Sequence, residues 1–297
     1  MVRPVSFGFN SDTKDTNSFQ SKDSDFNETE IQTKALAEFD AFVKTLRRNH
    51  VEVIEDTNTP TKPDAIFPNN WINMGHTGDI TLFPMAAPNR RLERRADIIN
   101  RLSEHFEIHH TTDLSSHENE RRYLEGTGSI VFDHRSRVAY ACISERTHPA
   151  LFERFCESIN YTPLPFTALN QDNIPIYHTN VMMCIGTHIA VICGESIKDE
   201  KERQQVFYKL HSTGHEILDI SLEQMCQFAG NMLEVTNTRG EKLLVMSTQA
   251  FKSLKKEQVS TLERHIRIVH SPIYTIEKIG GGSARCMMAE VFLKSLL

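Results

Sequence analysis

Residues 276–292 read I-E-K-I-G-G-G-S-A-R-C-M-M-A-E-V-F and place one cysteine, Cys286, shortly after three consecutive glycines. Glycine adopts positive φ at little cost and lets a backbone or a ligand approach closely. Ser283 is a candidate helix cap, and the spacing of apolar residues predicts a helix over residues 287–296. A thiol where loop passes into helix, beside Arg285, is in a setting that favours the thiolate. The stretch therefore indicates a nucleophile; the alternative is a small buried hydrophobic side chain.

Elsewhere in the chain, short apolar segments come in pairs, and a helical pattern follows each pair. The predicted strands are residues 3–9, 51–54, 80–83, 107–110, 138–143, 189–193, 217–220 and 243–246, and the end of 177–184. The predicted helices are residues 31–46, 92–106, 199–211 and 248–254, and a short helix that begins at Leu151. The pattern repeats about every 50 to 60 residues. It favours a single α/β domain over residues 1–297, with strands that converge on a shared centre. A doubly wound sheet is the alternative, but no glycine-rich phosphate loop supports it.

Composition limits the possible partners. The chain has 297 residues and a net charge of −6, so we expect neither nucleic acid nor an anionic membrane as a partner. No apolar run approaches the roughly 20 residues that a membrane span needs. The first ten residues lack the apolar region of a signal peptide, which predicts a cytoplasmic protein. The six cysteines form no C-x-x-C pair, so we expect free thiols rather than a metal or redox site.

A cysteine nucleophile needs an acid/base partner, and histidine is the usual one. Among 14 histidines, His178 begins an apolar strand and is followed by polar Thr179 and Asn180, which would aim its imidazole into a central cavity. Glu125 precedes an apolar strand, where a carboxylate is otherwise costly to bury. Alternatively, Glu125 is a turn residue with its carboxylate in water. Cys286, His178 and Glu125 together would supply a nucleophile, an acid/base and an orienting carboxylate.

Five motifs occur in the order D-A-I-F-P-N-N-W (64–71), L-E-G-T-G-S (124–129), S-E-R-T (144–147), H-T-N (178–180) and G-G-G-S-A-R-C-M (280–287). This order resembles the guanidino-group modifying enzymes, which include arginine deiminase, dimethylarginine dimethylaminohydrolase and arginine amidinotransferase. The branch that matches most closely is amidinotransferase-like and includes citrulline-utilisation hydrolases. The resemblance covers essentially the whole chain. It implies a pentein fold, a five-bladed α/β propeller of ββαβ units, and a site without metal or cofactor.

The resemblance also implies roles for individual residues. Cys286 would be the nucleophile, His178 the acid/base and Glu125 a substrate-binding carboxylate near the histidine. Arg146 matches the arginine that binds the substrate α-carboxylate, for which a guanidinium offers a bidentate pair. Either Arg90 or Arg91 would be a second such contact.

Two positions depart from the family pattern, because Asn70 and Asn180 stand where deiminases have acidic residues. A guanidinium presents only donors and needs carboxylates, whereas a neutral ureido group presents an acceptor and donors, which asparagine complements. The two asparagines therefore predict a ureido substrate, L-citrulline above all, with ornithine, carbon dioxide and ammonia as products. Alternatively, Asp64 and Glu125 would pair with a guanidinium, and the enzyme would be a deiminase, dihydrolase or amidinotransferase acting on arginine or a derivative. A further alternative is a non-catalytic propeller that binds an amino acid as a sensor.

Residues 10–30 form a long polar stretch with little to bury, which indicates a surface loop that could act as a lid over the site. The partner that the sequence indicates is a small-molecule substrate. The oligomeric state is left open, a homodimer included.

Overall fold

The computed structural model describes residues 1–22, 26–57 and 62–296, and these form four three-stranded sheets. In sheet order, the strands are β1 (Ile72–Met74), β2 (Asp79–Leu82), β3 (His110–Asp113); β4 (Val131–Asp133), β5 (Val138–Cys142), β6 (Thr162–Phe166); β7 (Met183–Ile185), β8 (Ile189–Ile192), β9 (Glu216–Asp219); and β10 (Leu233–Thr236), β11 (Lys242–Ser247), β12 (Arg267–Ser271). In each sheet the first two strands are antiparallel and the third is parallel to the second.

The parallel third strand requires a crossover, and helices supply it. The helices are α1 (Glu28–Arg48), α2 (Ala96–Ser103), α3 (Gly126–Ser129), α4 (Pro149–Ser158), α5 (Thr179–Met182), α6 (Glu200–Ser212), α7 (Leu222–Cys226), α8 (Thr248–Ser253), α9 (Lys256–Glu263) and α10 (Tyr274–Gly280). The crossovers are α2, α4, α6 and the pair α8–α9, so each sheet is a ββαβ unit. This confirms the mixed α/β class and the predicted sequence of paired strands followed by a helix.

The central strands of the units are buried on both faces. Every residue of β5 and β8 is buried, and Tyr140 of β5 pairs with Val131 on one side and Leu164 on the other. Strands covered on both faces are expected to be continuously apolar rather than alternating, and these two are. Because these strands are apolar throughout, polar side chains can meet only at the ends of the strands, where the chain enters each unit.

Helix α1 begins with a capping box. The side chain of Asn27 accepts from the backbone N–H of Glu30, and the Glu30 carboxylate accepts from the backbone N–H of Asn27, at 3.0 and 2.9 Å. Its apolar stripe is buried against α10 and β12. The helix predicted over residues 31–46 is therefore confirmed.

Each unit is entered through a short turn that carries one polar side chain inward. These entry residues are Asn70 before β1, Glu125 before β4, His178 before β7 and Asn231 before β10. A fifth turn, residues 283–287, carries Cys286. The entry turns therefore collect the candidate site from distant parts of the sequence.

Several predicted elements are wrong or displaced. Residues 3–9 and 51–54 contain no strand. Just outside these two ranges, Val2 and Asp56 form a single parallel bridge. The strand predicted at residues 107–110 is displaced, because β3 begins only at His110 and runs to Asp113. The predicted helix 92–106 is shortened to α2, because residues 88–93 form a 3-10 helix that starts at a proline. None of the helices in the described ranges is both long and apolar enough to cross a membrane.

The helix predicted over residues 287–296 is also wrong. The segment is extended, and Val291 and Ser295 form bridges with Met74 and Phe106. Its apolar residues serve two separate contacts: Leu293 joins the core cluster around Trp71, while Phe292 stacks on His76. The apolar residues of this segment are spaced like one face of a helix, but they pack against different parts of the protein, and this is why the helix prediction failed.

Candidate active site

Cys286 lies in the turn of residues 283–287, where its backbone N–H donates to the carbonyl of Ser283 at 3.0 Å. The preceding glycines are required by close packing: a Cβ at Gly282 would lie 2.8 Å from the ring of Phe67, and Gly281 has φ +63°. The thiol is free and buried. No helix follows it, so a helix dipole does not act on this sulfur.

Two side-chain amides, rather than a helix N-terminus, provide N–H groups near the sulfur. Nδ2 of Asn180 lies 3.5 Å from the sulfur of Cys286, and Nδ2 of Asn231 lies 3.3 Å from it. All three residues are buried. The nearest polar atoms to the sulfur are therefore two N–H donors, which suit an anionic sulfur; the oxygens of the same amides lie farther away, at 3.9 and 3.7 Å.

His178 and Glu125 form a buried pair. Nε2 of His178 is 2.8 Å from Oε2 of Glu125, and the other carboxylate oxygen accepts from the backbone N–H of Ala86 at 2.9 Å. The carboxylate only accepts, so the proton of the imidazole is assigned to Nε2 and the lone pair to Nδ1. Burial lowers the pKa of His178 to about 4, against the opposing effect of Glu125. Burial also opposes ionisation of Glu125, but the charge of Arg146 and the hydrogen bond from His178 hold the pKa of that carboxyl well below its usual range. The pair is therefore a neutral imidazole on a carboxylate.

Gly128 lets Asn70 and His178 face each other. A Cβ at this position would lie 2.3 Å from Nδ2 of Asn70 and 2.8 Å from the imidazole of His178. The second glycine of L-E-G-T-G-S therefore keeps open the space between these two side chains.

Asn70 is oriented by Arg90. Nη1 of Arg90 donates to Oδ1 of Asn70 at 2.9 Å, and the same guanidinium forms a bidentate pair with Glu93 at 3.0 and 2.9 Å. Because a guanidinium only donates, Oδ1 of Asn70 must face it and Nδ2 must point away. That Nδ2 atom is buried and has no hydrogen-bond partner in the described part of the chain.

Asp64 lies on the far side of Arg90. Its Oδ2 atom accepts from Nδ2 of Asn10 at 2.7 Å and lies 3.7 Å from Nε of Arg90, while its Oδ1 atom is buried without a hydrogen-bond partner among the described residues. Burial raises the pKa of Asp64, and the charge of Arg90 opposes that rise.

The two remaining arginines lie in different settings. Arg146 is buried beside Glu125, with 3.5 Å between Nη1 and Oε2, and its guanidinium stacks over Tyr177. Arg91 is partly exposed and donates to the carbonyls of Met85 and Ala86 at 3.0 and 3.3 Å. The structure thus brings Arg146 into the buried group and leaves Arg91 at its edge.

Residues 10–22 cover the group. Arg146 donates through Nε to the hydroxyl of Thr16 at 3.2 Å. Asn17 donates to the carbonyls of Gly280 and Gly281 at 3.4 and 3.3 Å, and Phe19 packs against Tyr177. Residues 23–25 of the stretch predicted as a loop lie outside the described residues.

Sequence reasoning missed Asn231, Asn10 and Tyr177 as members of this group. Asn231 had a detectable signal, since F-A-G-N-M-L-E-V precedes a strand as the other motifs do. Nothing in the sequence pointed to Asn10, because its partner is 54 residues away. Among the described residues, no group of three or more His, Cys, Asp and Glu side chains could hold a metal ion.

The repeated ββαβ units, a buried cysteine beside two asparagine amides and a buried His–Glu pair are typical of one class, the guanidino-group modifying enzymes of the pentein fold. The chain belongs to the family described as N,N dimethylarginine dimethylhydrolase, eukaryotic, whose model matches residues 3–293. The predicted resemblance is therefore confirmed. The chain is an enzyme, a hydrolase of non-peptide C–N bonds, which gives the sensor alternative no support.

Solved structures share this fold at low sequence identity. The N-terminal domain of a mutant of ArgZ, an arginine dihydrolase from the ornithine–ammonia cycle in cyanobacteria, was solved bound to substrate. It is 14% identical with a TM-score of 0.75, over 99% of this chain and 98% of that one. A dimethylarginine dimethylaminohydrolase adduct with S-methyl-L-thiocitrulline is 14% identical with a TM-score of 0.63, over 96% of both chains.

The longer protein AgrE, solved as a mutant with L-arginine, is 13% identical with a TM-score of 0.75. The match covers 98% of this chain but only 40% of AgrE. No sequence among the curated proteins matches this chain significantly. At such identities, the likeness to solved structures establishes the fold alone.

Proposed function

We propose that this protein is a cysteine-dependent hydrolase of a ureido amino acid, which converts L-citrulline to ornithine, carbon dioxide and ammonia. The observation that carries the proposal is the orientation of Asn70. Its Oδ1 atom is held by Arg90, so a buried and unpaired N–H donor, Nδ2, faces the space beside His178. A ureido oxygen accepts such a donor, whereas a guanidinium has only donors to offer.

The charges of the buried group include one carboxylate more than the arginines need. Glu125 balances Arg146, and Glu93 forms the bidentate pair with Arg90, so Asp64 is a third acidic group beside two guanidiniums. Burial raises the pKa of Asp64 and so favours its neutral form, which would leave both remaining carboxylates already paired with an arginine. An uncompensated buried charge costs several kcal/mol, roughly 3–5 when one partner of a pair is missing, and a neutral ureido group avoids that cost.

The reaction starts from a thiol and a neutral imidazole. The lone pair on Nδ1 of His178 accepts the thiol proton as the sulfur of Cys286 attacks the ureido carbon. The Asn70 amide donates to the oxygen as negative charge develops on it. The imidazolium, held by Glu125, then returns the proton to the departing nitrogen, and the bond from carbon to that nitrogen breaks. Water, deprotonated by the same imidazole, attacks the carbamoyl thioester. The bond from carbon to sulfur breaks, the sulfur takes the proton back from the imidazolium, and the carbamate that is released decomposes to carbon dioxide and ammonia.

Substrate binding requires the cover to open. In the closed arrangement, Arg146 donates to Thr16, so the substrate α-carboxylate would replace that hydroxyl and gain a charge-assisted pair. Residues 10–22 would then act as the lid. Arg91 would be the second carboxylate contact by exchanging its present partners, which include Glu118 at 3.4 Å. Arg90 is engaged with Glu93 and Asn70 and would orient the latter.

The whole of residues 1–297 would form one catalytic domain, with a fifth blade built from both ends of the chain. The parallel bridge between Val2 and Asp56 flanks α1, as a β-α-β half-unit does, and the turn with Cys286 takes the entry position. Closure of five such units would place five entry residues around one axis. A cytoplasmic location and the oligomeric state, a homodimer included, stay predictions.

A second candidate is a dihydrolase or deiminase of arginine or a methylated arginine. Asp64 favours it, because its Oδ1 atom is buried without a hydrogen-bond partner in the described residues and could accept from a guanidinium. The description of ArgZ as an arginine dihydrolase agrees with this alternative.

Ammonia and ornithine release from L-citrulline, with L-arginine and dimethylarginine in parallel, separates the candidates. We expect both products from citrulline and neither from arginine in the absence of other enzymes, with Cys286→Ser as the inactive control. Release of citrulline from arginine or dimethylarginine, without its further breakdown, would contradict the ureido proposal. Release of ornithine from L-arginine as well as from L-citrulline would support the dihydrolase.

A further inference from the structure

The entry turns of the four units each deliver a polar side chain, and only that of the fourth unit, Asn231, has no role so far. We propose that Asn231 is a catalytic residue: its side-chain amide donates a hydrogen bond to the sulfur of Cys286, stabilises the thiolate and fixes the turn that carries it. The inference deepens the proposed function and rests on it for the reaction, but not for the state of the thiol.

The backbone of the motif F-A-G-N (228–231) positions Asn231 beside the sulfur of Cys286. A Cβ at Gly230 would lie 2.5 Å from the carbonyl oxygen of Val181 and 2.7 Å from the carbonyl carbon of Met182, both fixed backbone atoms. Phe228 has φ 62°, a left-handed conformation that non-glycine residues rarely adopt. Two unusual backbone positions within four residues hold this turn tightly against the segment that follows His178.

The contacts of Asn231 fix which way its amide points. Oδ1 accepts from the backbone N–H of Arg285 at 3.0 Å, and Nδ2 donates to the backbone carbonyl of Asn180 at 2.8 Å. A backbone N–H can only donate and a backbone carbonyl can only accept. The reversed amide would place its NH2 group against the N–H of Arg285 and its oxygen against the carbonyl of Asn180. The atom that lies 3.3 Å from the sulfur of Cys286 is therefore the donor Nδ2.

This arrangement suits a sulfur that becomes negative. A hydrogen bond to an ionised acceptor is roughly twice as strong as one between neutral groups, so the amide favours the thiolate over the thiol. The bond from Oδ1 to Arg285 N–H also anchors the residue before Cys286, so the same side chain sets the position of the sulfur. Asn180 adds a second donor at 3.5 Å but has no comparable hold on the turn.

Asn231→Asp tests this role with little change of shape. The oxygen that accepts from Arg285 is retained, but a carboxylate oxygen replaces the donor beside the sulfur. We expect alkylation of Cys286 by iodoacetamide at pH 7, followed by peptide mass spectrometry, to slow about tenfold or more. The pH at which the far-ultraviolet absorbance of the thiolate appears, taken from the difference from Cys286→Ser, should be higher in the variant than in the wild type, and this readout does not depend on opening of the cover. With citrulline, kcat should fall while KM stays within about threefold.

Asn237→Asp is the matched control, because Asn237 lies at the other end of β10 with contacts of the same kind. Its Oδ1 atom accepts from the backbone N–H of Glu241 at 2.9 Å, and its Nδ2 atom donates to the carbonyl of Asn49 at 3.0 Å. It should match the wild type in alkylation. If Asn231→Asp does not fold, Asn231→Ala removes the donor without adding charge and should also slow alkylation.

Alkylation of a folded Asn231 variant within about twofold of the wild-type rate would overturn the inference, as would an equal loss in Asn237→Asp. Slower alkylation in a protein that does not turn over citrulline would support the role of Asn231 and count against the proposed substrate alone.

Discussion

Nε2 of His178 lies 2.8 Å from Oε2 of Glu125 in an interior that excludes solvent from both side chains. This contact decides the tautomer of the imidazole and leaves Nδ1 as its basic atom. Because burial lowers the pKa of His178 to about 4, the imidazole is neutral at pH 7. In the proposed mechanism, the proton that reaches the leaving group therefore comes from the thiol of Cys286.

The same pKa predicts how stability depends on pH. The folded protein holds His178 neutral down to about pH 4, whereas the unfolded chain protonates it near the ordinary histidine pKa of 6.5. Between these values the unfolded state binds more protons, so the free energy of unfolding falls as pH falls, by up to about 1.4 kcal/mol per pH unit. Denaturant unfolding at several pH values should show a smaller slope in His178→Asn than in the wild type.

His188→Asn is the control for that comparison, because the rings of His188 and His265 stack outside this group. It should keep the wild-type dependence on pH. An identical slope in His178→Asn and the wild type would mean that His178 titrates normally in the folded state.

Asn70→Asp tests the substrate preference. The new carboxylate would pair with Arg90 and could no longer present a donor to a ureido oxygen. We expect kcat/KM for citrulline to fall about a hundredfold, or about 2.7 kcal/mol of transition-state stabilisation. Asn70→Ala should also lose activity, but only the aspartate should improve binding of L-arginine, as measured by calorimetry. A gain in citrulline turnover by Asn70→Asp would be incompatible with the orientation argument.

Sequence periodicity was sufficient for the repeating part of the fold, because strand pairs and crossover helices leave local apolar patterns. It failed at both ends of the chain. Val2 and Val291 are held by single bridges to Asp56 and Met74, contacts that no local pattern records. The helix predicted after Cys286 failed for the same reason.

The candidate site divides in a similar way. Motif order led to His178, Glu125 and Cys286, because each stands at the entrance of an apolar segment. The pairing of Arg90 with Asn70 could not be found from sequence, since it depends on where a 3-10 helix turns the guanidinium. The orientation of one amide, which carries the substrate argument, is a property of the folded chain alone.

The contact between Arg146 and Thr16 predicts that the cover competes with the substrate. The hydroxyl of Thr16 accepts from Nε of Arg146 at 3.2 Å, so Thr16→Val removes a partner that the substrate carboxylate must displace. We expect a KM for citrulline about two- to fivefold lower, which corresponds to one hydrogen bond of about 0.5–1 kcal/mol. Arg146→Lys should act oppositely and raise KM, because an ammonium cannot form the bidentate pair.

Thr33→Val is the matched control for the lost hydroxyl, since Thr33 donates only to a carbonyl of its own exposed helix, that of Thr29 at 2.8 Å. Its KM should equal that of the wild type. A higher KM in Thr16→Val would indicate that the hydroxyl assists binding rather than competing with it.

Gly128→Ala should disable the site while leaving most of the fold intact. The added methyl would lie 2.3 Å from Nδ2 of Asn70 and 2.8 Å from the imidazole of His178, so both side chains must move. Overpacking of this kind costs about 1–3 kcal/mol of stability, and displacement of aligned groups by about 1 Å can cost a hundredfold in rate. Steady-state kinetics with citrulline should show that loss in kcat/KM, and thermal unfolding should show a modest decrease in Tm. Gly8→Ala is the control, because, its two chain neighbours aside, no heavy atom of the described residues lies within 4 Å of a Cβ built there. If Gly128→Ala kept wild-type kinetics, Asn70 and His178 would not have to meet across that glycine, and the oxygen of the substrate would have to find its donor elsewhere.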